Sequence, residues 1–151
     1  MSIEIRAAQP HDAPAISRVI IDALRISNAR DYSPEVIQRV ESNFTAEHIG
    51  KLIETRLVLV ALQGQQLLGT ASLDGQVIRT VFVDPAQQGK GIGRKLMAAI
   101  ERLAQERGAS ELLVPSSLTA QGFYRQLGFT LLREVIEGEE RTLVMVRQLS
   151  E

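Results

Sequence analysis

The residues best placed to do chemistry lie in the stretch TVFVDPAQQGKGIGRKLMAAIERLAQER, from Thr80 to Arg107. Its loop, Gln87-Gln88-Gly89-Lys90-Gly91-Ile92-Gly93, has three glycines in five positions and is followed by Arg94 and Lys95. Backbone N–H groups that open a helix have no carbonyl partner, and the helix dipole places partial positive charge there. Glycines let a bulky anion approach those groups closely. From Ala86 to Arg107 there are five Lys or Arg against two Glu, so net +3, in a chain whose formal charge is −1. The pattern supports a phosphate or pyrophosphate site; a glycine-rich turn before a solvated basic helix is the alternative. Two known phosphate loops do not fit. A Walker loop needs Ser or Thr after Gly-Lys, but Gly91 follows Lys90. The dinucleotide fingerprint needs glycine where Arg94 or Leu96 stands. Gln88-x-x-Gly91-x-Gly93 remains.

A strand must deliver this loop and a helix must follow it. Val81-Phe82-Val83 favours a strand, and Asp84-Pro85 ends it because proline has no N–H for a ladder. Ile92, Leu96, Ile100 and Leu103 then fall on one face of a helix that Gly108 terminates. Upstream, Ile3–Arg6 reads as a strand, and Asp12 as the N-cap of a helix over 13–26. Ser33-Pro34-Glu35 starts a second helix, and 45–52 reads as a short third. Strands follow at 56–62, 66–73 and 76–83, with Asp74-Gly75 as a hairpin turn. After the glycine loop and its helix come a fifth strand at Leu112–Val114, a short helix at 119–127, and a hairpin of strands at 129–136 and 142–147. Only the fourth and fifth strands are joined by a helix in a way that demands parallel neighbours. The chain therefore reads as one α/β (α+β) domain over 1–151, with seven strands in a mixed, mostly antiparallel sheet.

Composition narrows the classes. A chain of 151 residues fits one domain with one core, and 44% hydrophobic content is ordinary for a globular protein. Near-neutral charge gives no argument for nucleic acid or a membrane surface, and no apolar run is long enough to span a bilayer. The first residues lack an uninterrupted apolar core of the signal-peptide kind, so a cytoplasmic location is expected. Zero cysteines remove disulfides and thiolate chemistry, and His11 and His48 stand without ligand spacing, so no metal is expected.

A second segment gives the loop its meaning. Ser117-x-x-Ala120-x-x-Phe123-Tyr124-x-x-x-Gly128-Phe129, taken with Gln88-x-x-Gly91-x-Gly93, resembles the two signatures of the GCN5-related N-acetyltransferase (GNAT) superfamily. The resemblance runs over nearly the whole chain. It implies transfer of an acetyl group from acetyl-CoA to an amine, with helices on both faces of a sheet splayed between the fourth and fifth strands. By the same resemblance the pantetheine arm lies in that splay on backbone groups of Phe82 and Val83. The pyrophosphate then meets the N–H groups of Gly89, Lys90, Gly91, Ile92, Gly93 and Arg94, with Gln88 in the same loop. Ser117 stands where the family commonly has asparagine and is expected near the CoA arm. Tyr124 is expected to give a proton or hydrogen bond to the departing CoA sulfur, since a phenol of pKa about 10 is protonated at pH 7. The alternative for Tyr124 is an aromatic that only packs beside Phe123.

One departure matters. Many relatives carry a glutamate on the fourth strand to take the amine's proton; Val77 occupies that position, between Gln76 and Ile78. A base then comes from Asp74, Asp31, Glu35, Glu41 or water, and water-mediated loss of the proton is the reading taken. The acceptor pocket is expected between Ile26 and Phe44, with Tyr32 on its wall and Asp31 or Glu35 attracting an amine. The expected acceptor is a small-molecule primary amine, and self-association as a homodimer is an expectation from the family. A protein or peptide amine as acceptor, a non-catalytic acetyl-CoA sensor, and a nucleotide-binding regulatory domain are the competing readings.

Overall fold

A computed structural model describes residues 2–149; of the domain expected over 1–151, Met1, Ser150 and Glu151 lie outside the described residues. The elements in order are β1 (Glu4–Ala7), α1 (Ala13–Ile26), α2 (Pro34–Glu41), α3 (Ala46–Thr55), β2 (Leu57–Gln63), β3 (Gln66–Asp74), β4 (Val77–Val83), α4 (Ile92–Glu106), β5 (Glu111–Ser116), α5 (Gln121–Gln126), β6 (Thr130–Glu137) and β7 (Glu140–Gln148). Three short 3₁₀ turns, at Pro10–Asp12, Asn28–Arg30 and Pro85–Gln87, fill connectors that the sequence pattern left as loops. The strands form one sheet in the order β1-β2-β3-β4-β5-β7-β6, antiparallel throughout except between β4 and β5.

Alternation of apolar residues along the strands gives the sheet two buried faces. One face, from Leu59, Ala61, Leu68, Ala71 and Ile78 to Leu112, Val114 and Met145, packs against α4 through Ile92, Leu96 and Ile100. The other, from Val58, Val60, Leu62 and Leu67, is covered by α1 and α3 through Ile16, Val19, Ile20 and Ile49. The helix starts read from sequence are mostly real. Ser33 Oγ accepts the Val36 N–H and Thr45 Oγ1 accepts the His48 N–H, and Gly108 and Gly128 take the positive φ that ends α4 and α5.

Asp12 is different. Its side chain makes no cap bond to α1; it accepts the Gln9 N–H at 2.7 Å and both arms of Arg6 at 2.8 and 3.1 Å. The expected cap is replaced by a forked ion pair that ties β1 to the turn before α1. The Arg6 hydrogen bonds hold the Asp12 carboxyl below its ordinary pKa against the opposing effect of burial.

The β3–β4 ladder carries the feature that matters most for the site. Phe82 pairs with Thr70 and Arg79 with Ser72, so Thr80 and Val81 together oppose Ala71. Thr80 has φ 55°, a left-handed conformation unusual for a β-branched residue. Such a bulge bends its strand and sharpens the local twist. On its other side β4 has a single registered pair with β5, Val77 with Leu113, next to a 3.0 Å bond from the Leu113 N–H to the Gln76 carbonyl. Beyond that point the two strands separate.

The depressed pKa of Asp12 fixes the sign of a pH effect. Its ion pair contributes stability above the unfolded carboxyl's pKa of about 3.9, and that stability is lost as pH falls through the lower folded value. Asp12→Asn should therefore cost about 2 kcal/mol at pH 7 and progressively less as the pH is lowered below about 4, measured by urea unfolding across that range.

Candidate active site

The separation of β4 from β5 opens a cavity of about 740 Å³. Along it lie the glycine loop and the first turn of α4, the C-terminal half of β4, the end of β5, Tyr124, and the connector from α1 to α2. Gln88, Gly89, Gly91, Ile92, Gly93, Arg94, Phe82, Val83, Ser117 and Tyr124 all line it, so one space gathers them. Lys90 alone among the expected site residues is not on its wall; it is exposed and donates to Gln87 Oε1 at 2.7 Å.

The loop's glycines do different things. Gly89 and Gly91 have φ of 85° and 77°, and a Cβ on either would meet nothing within 4 Å. They are glycine for backbone reasons, and they leave open space in front of the first N–H groups of α4. Gly93 has no such φ. A Cβ there would stand 3.0 Å from the Phe123 ring, so its missing side chain seats α5 against α4. The first turn of α4 holds no acid, while Arg94 and Lys95 place positive charge where the helix dipole already puts it. That arrangement is unfavourable until an anion joins it. Gln88 Nε2 donates to Ser27 Oγ at 3.3 Å and Arg94 to Gln126 Oε1 at 3.3 Å, which tie the loop to α1 and α5.

Beside the bulge, the backbone groups of β4 sort themselves by alternation. The Asp84 N–H donates to the Leu68 carbonyl at 2.8 Å, and the Phe82 carbonyl lies toward Gly69. Asp84 and Phe82 thus face β3, and the N–H and C=O of Val81 and Val83 face the gap. The expectation for Phe82 needs correcting on this point: its backbone is used by the ladder, and what it offers the cavity is its ring, edge-on to Phe44 with centroids 6.0 Å apart. Val81 takes the place beside Val83, and only the bulge's one-residue shift could have revealed that.

Tyr124 sits at the inner end, 4% exposed, edge-on to Phe123 at 5.2 Å and to Phe129 at 5.7 Å. Its hydroxyl has no hydrogen-bond partner among the described residues, and burial pushes its pKa well above the ordinary value. The group is a neutral phenol with its proton uncommitted. Ser117 Oγ accepts the Ala120 N–H at 3.1 Å and so shapes the turn that leads into α5.

The candidate bases fare less well. Asp31, Glu35, Glu41 and Asp74 do not line the cavity. Asp31 accepts the Thr119 hydroxyl at 2.7 Å, Glu41 is forked onto Arg25, and Asp74 pairs with Arg79 at 3.4 Å. Glu140 is the carboxylate on the wall among the described residues, and Arg39 holds it at 3.1 Å. Nothing local marks Glu140 in sequence, because β7 carries it to α2 from a hundred residues away. Tyr32 is on the wall as expected. It also acts as a brace, accepting the Leu118 N–H at 2.7 Å and donating to the Arg141 carbonyl at 3.1 Å.

Comparison with known proteins places this arrangement. A family model described as an acetyltransferase (GNAT) domain matches residues 28–147. The chain belongs to the GNAT acetyltransferases. It is 28% identical over 133 residues to the uncharacterized N-acetyltransferase YafP of Escherichia coli K12, spanning 88% of this chain and 85% of that protein. Its fold superposes on a GCN5-related N-acetyltransferase of Rhodopseudomonas palustris with a TM-score of 0.92, 26% identity, and 99% and 97% of the two chains covered. The PaiA N-acetyltransferase of Thermoplasma acidophilum, solved in complex with coenzyme A, gives a TM-score of 0.85 at 21% identity, covering 99% and 100%. This GNAT domain is thus an acyltransferase by family, with the splayed sheet of that fold.

The two kinds of glycine should separate by substitution. Gly91→Ala forces a left-handed φ on a side chain and should cost about 1–2 kcal/mol, with Gly91→Asn milder because asparagine tolerates that region. Gly93→Val should cost at least as much through collision with Phe123, and replacing it with Asn should bring no relief. Urea unfolding of the four variants checks both.

Proposed function

We propose that this protein transfers an acetyl group from acetyl-CoA to the primary amine of a small molecule by direct attack on the thioester. The observation that carries this reading is the single cavity that joins an uncompensated basic helix start to an uncommitted neutral phenol along an unpaired stretch of β4. The N–H groups opening α4, with Arg94 and Lys90 near them, suit a pyrophosphate. Val81 and Val83 offer the strand-like backbone pairing that an amide-bearing pantetheine arm needs.

The chain's own groups then do three things. The apolar walls seat the acetyl end beside Tyr124. The amine nitrogen bonds to the acetyl carbon while the C–S bond breaks, and Tyr124 donates its proton to the sulfur. The amine loses its own proton to water, and Tyr124 is reprotonated from solvent, so amine and thioester give amide and thiol. With no carboxylate at Val77 and Glu140 held by Arg39, a water route suits this site better than a protein base.

A small acceptor is favoured over a peptide by the way one side of the cavity is closed. Asp31, Tyr32, Ser33 and Arg39 each bond across to Thr119, Leu118, Glu139 or Glu140. The valine at position 77, where a carboxylate would serve as base, favours one competing reading: a domain that binds acetyl-CoA without turning it over.

Tyr124→Phe should keep coenzyme A binding, read as a thermal shift, and lower kcat by about 10²-fold. The wild-type rate should show no descending limb up to pH about 10, since burial keeps Tyr124 protonated past its ordinary value. Because the chain has no cysteine, thiol released during the assay is product. Full activity in the phenylalanine variant would exclude Tyr124 as the acid, and coenzyme A binding without release of thiol on a broad amine panel would favour the non-catalytic reading.

A further inference from the structure

The acceptor end of the cavity has a composition that selects a class of amine. Leu24, Val36, Ile37, Val40, Phe44 and Phe82 make its walls, and Val36 and Ile37 are 2% and 6% exposed. Its one carboxylate among the described residues, Glu140, is already paired with Arg39. An acceptor with two or more ammonium groups would have to bury a cation here with no anion to meet it, which is strongly unfavourable.

Two polar groups on the same wall are uncommitted. Asn28 is 8% exposed, lines the cavity, and its side-chain amide has no hydrogen-bond partner among the described residues. An amide that opens onto the cavity without a protein partner is free to bond a ligand there. Arg30, on the same 3₁₀ turn, also lines the cavity, and its guanidinium has no partner among the described residues. The other arginines on the wall are engaged: Arg94 with Gln126, and Arg141 with Glu134 at 2.6 Å. The turn that carries Asn28 and Arg30 lies between Ser27, which holds Gln88 of the glycine loop, and Tyr32, which braces the acceptor wall. A donor pair of guanidinium and amide beside an apolar wall suits a carboxylate attached to an apolar body.

We infer that the acceptor is an α-amino acid with an apolar side chain, its carboxylate met by Arg30 and Asn28 and its side chain by the wall of Val36, Ile37 and Phe44. This rests on the acetyl-transfer reading above. The reaction balances as before: the α-nitrogen gains the acetyl group and loses one proton to water, and the thiol forms with the proton from Tyr124.

The test compares the purified protein on L-phenylalanine, L-leucine, phenethylamine and spermidine with acetyl-CoA, following thiol release and product mass. L-Phenylalanine should exceed phenethylamine, which differs by the carboxylate alone, by about 10-fold or more in kcat/KM, and spermidine should be the poorest. Arg30→Ala should bring the phenylalanine-to-phenethylamine ratio close to one, Arg30→Lys should restore part of it, and Asn28→Ala should raise the KM for the amino acid. These losses should fall on the acceptor, with the KM for acetyl-CoA moving less than about twofold. Spermidine as the best substrate, an unchanged ratio in Arg30→Ala, or a loss confined to the KM for acetyl-CoA would overturn the inference. Thermal stabilisation by coenzyme A separates the two levels: with it, failure of both amino acids sinks the acceptor class alone; without it, the acetyl-transfer reading falls too.

Discussion

The site depends on one failure of pairing. β4 and β5 run parallel and should continue as neighbours, yet they share a single registered pair before they part. The bulge at Thr80 and Val81 is the local cause within β4, since it turns the strand and takes one residue out of the ladder with β3. A gap in the middle of a sheet is costly, because it leaves backbone N–H and C=O groups without partners. The strained Thr80 adds to that cost. Both are sustained because the flanking ladders are long: β3 with β4 on one side, β5 with β7 and β6 on the other.

A sheet split in this way would be two half-domains if nothing crossed the split. Two structures cross it, one on each face. On one, α4 packs under β2, β3 and β4 and also against the chain that follows β5, with Gly93 allowing Phe123 to come close. On the other, the connector before α2, through Asp31, Tyr32 and Ser33, and α2 itself, through Arg39, reach the turn after β5 and the hairpin of β6 and β7. Most of those crossing bonds are exposed and singly weak. The Tyr32 hydroxyl is the exception, half-buried and bonded on both sides, and burial raises its pKa so that it stays a donor.

Sequence and structure agree where the signal is local. The glycine loop, the Phe123-Tyr124 pair, and nearly every helix and strand were legible because glycine, proline and apolar period act over a few residues. Val77 in place of a strand acid was equally plain. The points that sequence missed are those set by distant partners. Asp12 has the residue type and position of a cap, but Arg6 competes for the same oxygens and wins with two charged hydrogen bonds to Asp12. Phe82 and Val83 looked equivalent as cofactor contacts until the bulge decided which backbone groups face the gap. Gly93 fits a motif read as an anion cradle, and only its contact with Phe123 gives its actual reason. Asn28, Arg30 and Glu140 have no local mark at all; the fold of α1 against β4 and the return of β7 put them on one wall.

The placement of charge follows from these same constraints. The cofactor end carries free positive charge at a helix start, where an anion restores the balance. The middle, around Phe123, Tyr124 and Phe129, is apolar and holds one neutral donor. There a phenol is more useful than a carboxylic acid, because burial raises both pKa values but leaves only the phenol far from ionising at neutral pH. The same burial would make a carboxylate on β4 costly unless it were paired, and Arg79, two residues on from Val77, is already drawn to Asp74, the cross-strand neighbour of Val77. Of the carboxylates considered as bases, Asp31, Glu41 and Asp74 lie off the cavity wall and are held by a hydroxyl or an arginine, and on the proposed route the amine's proton goes to water. On the proposed route the site gives up a fixed base, so turnover would depend on how much of the acceptor arrives already neutral.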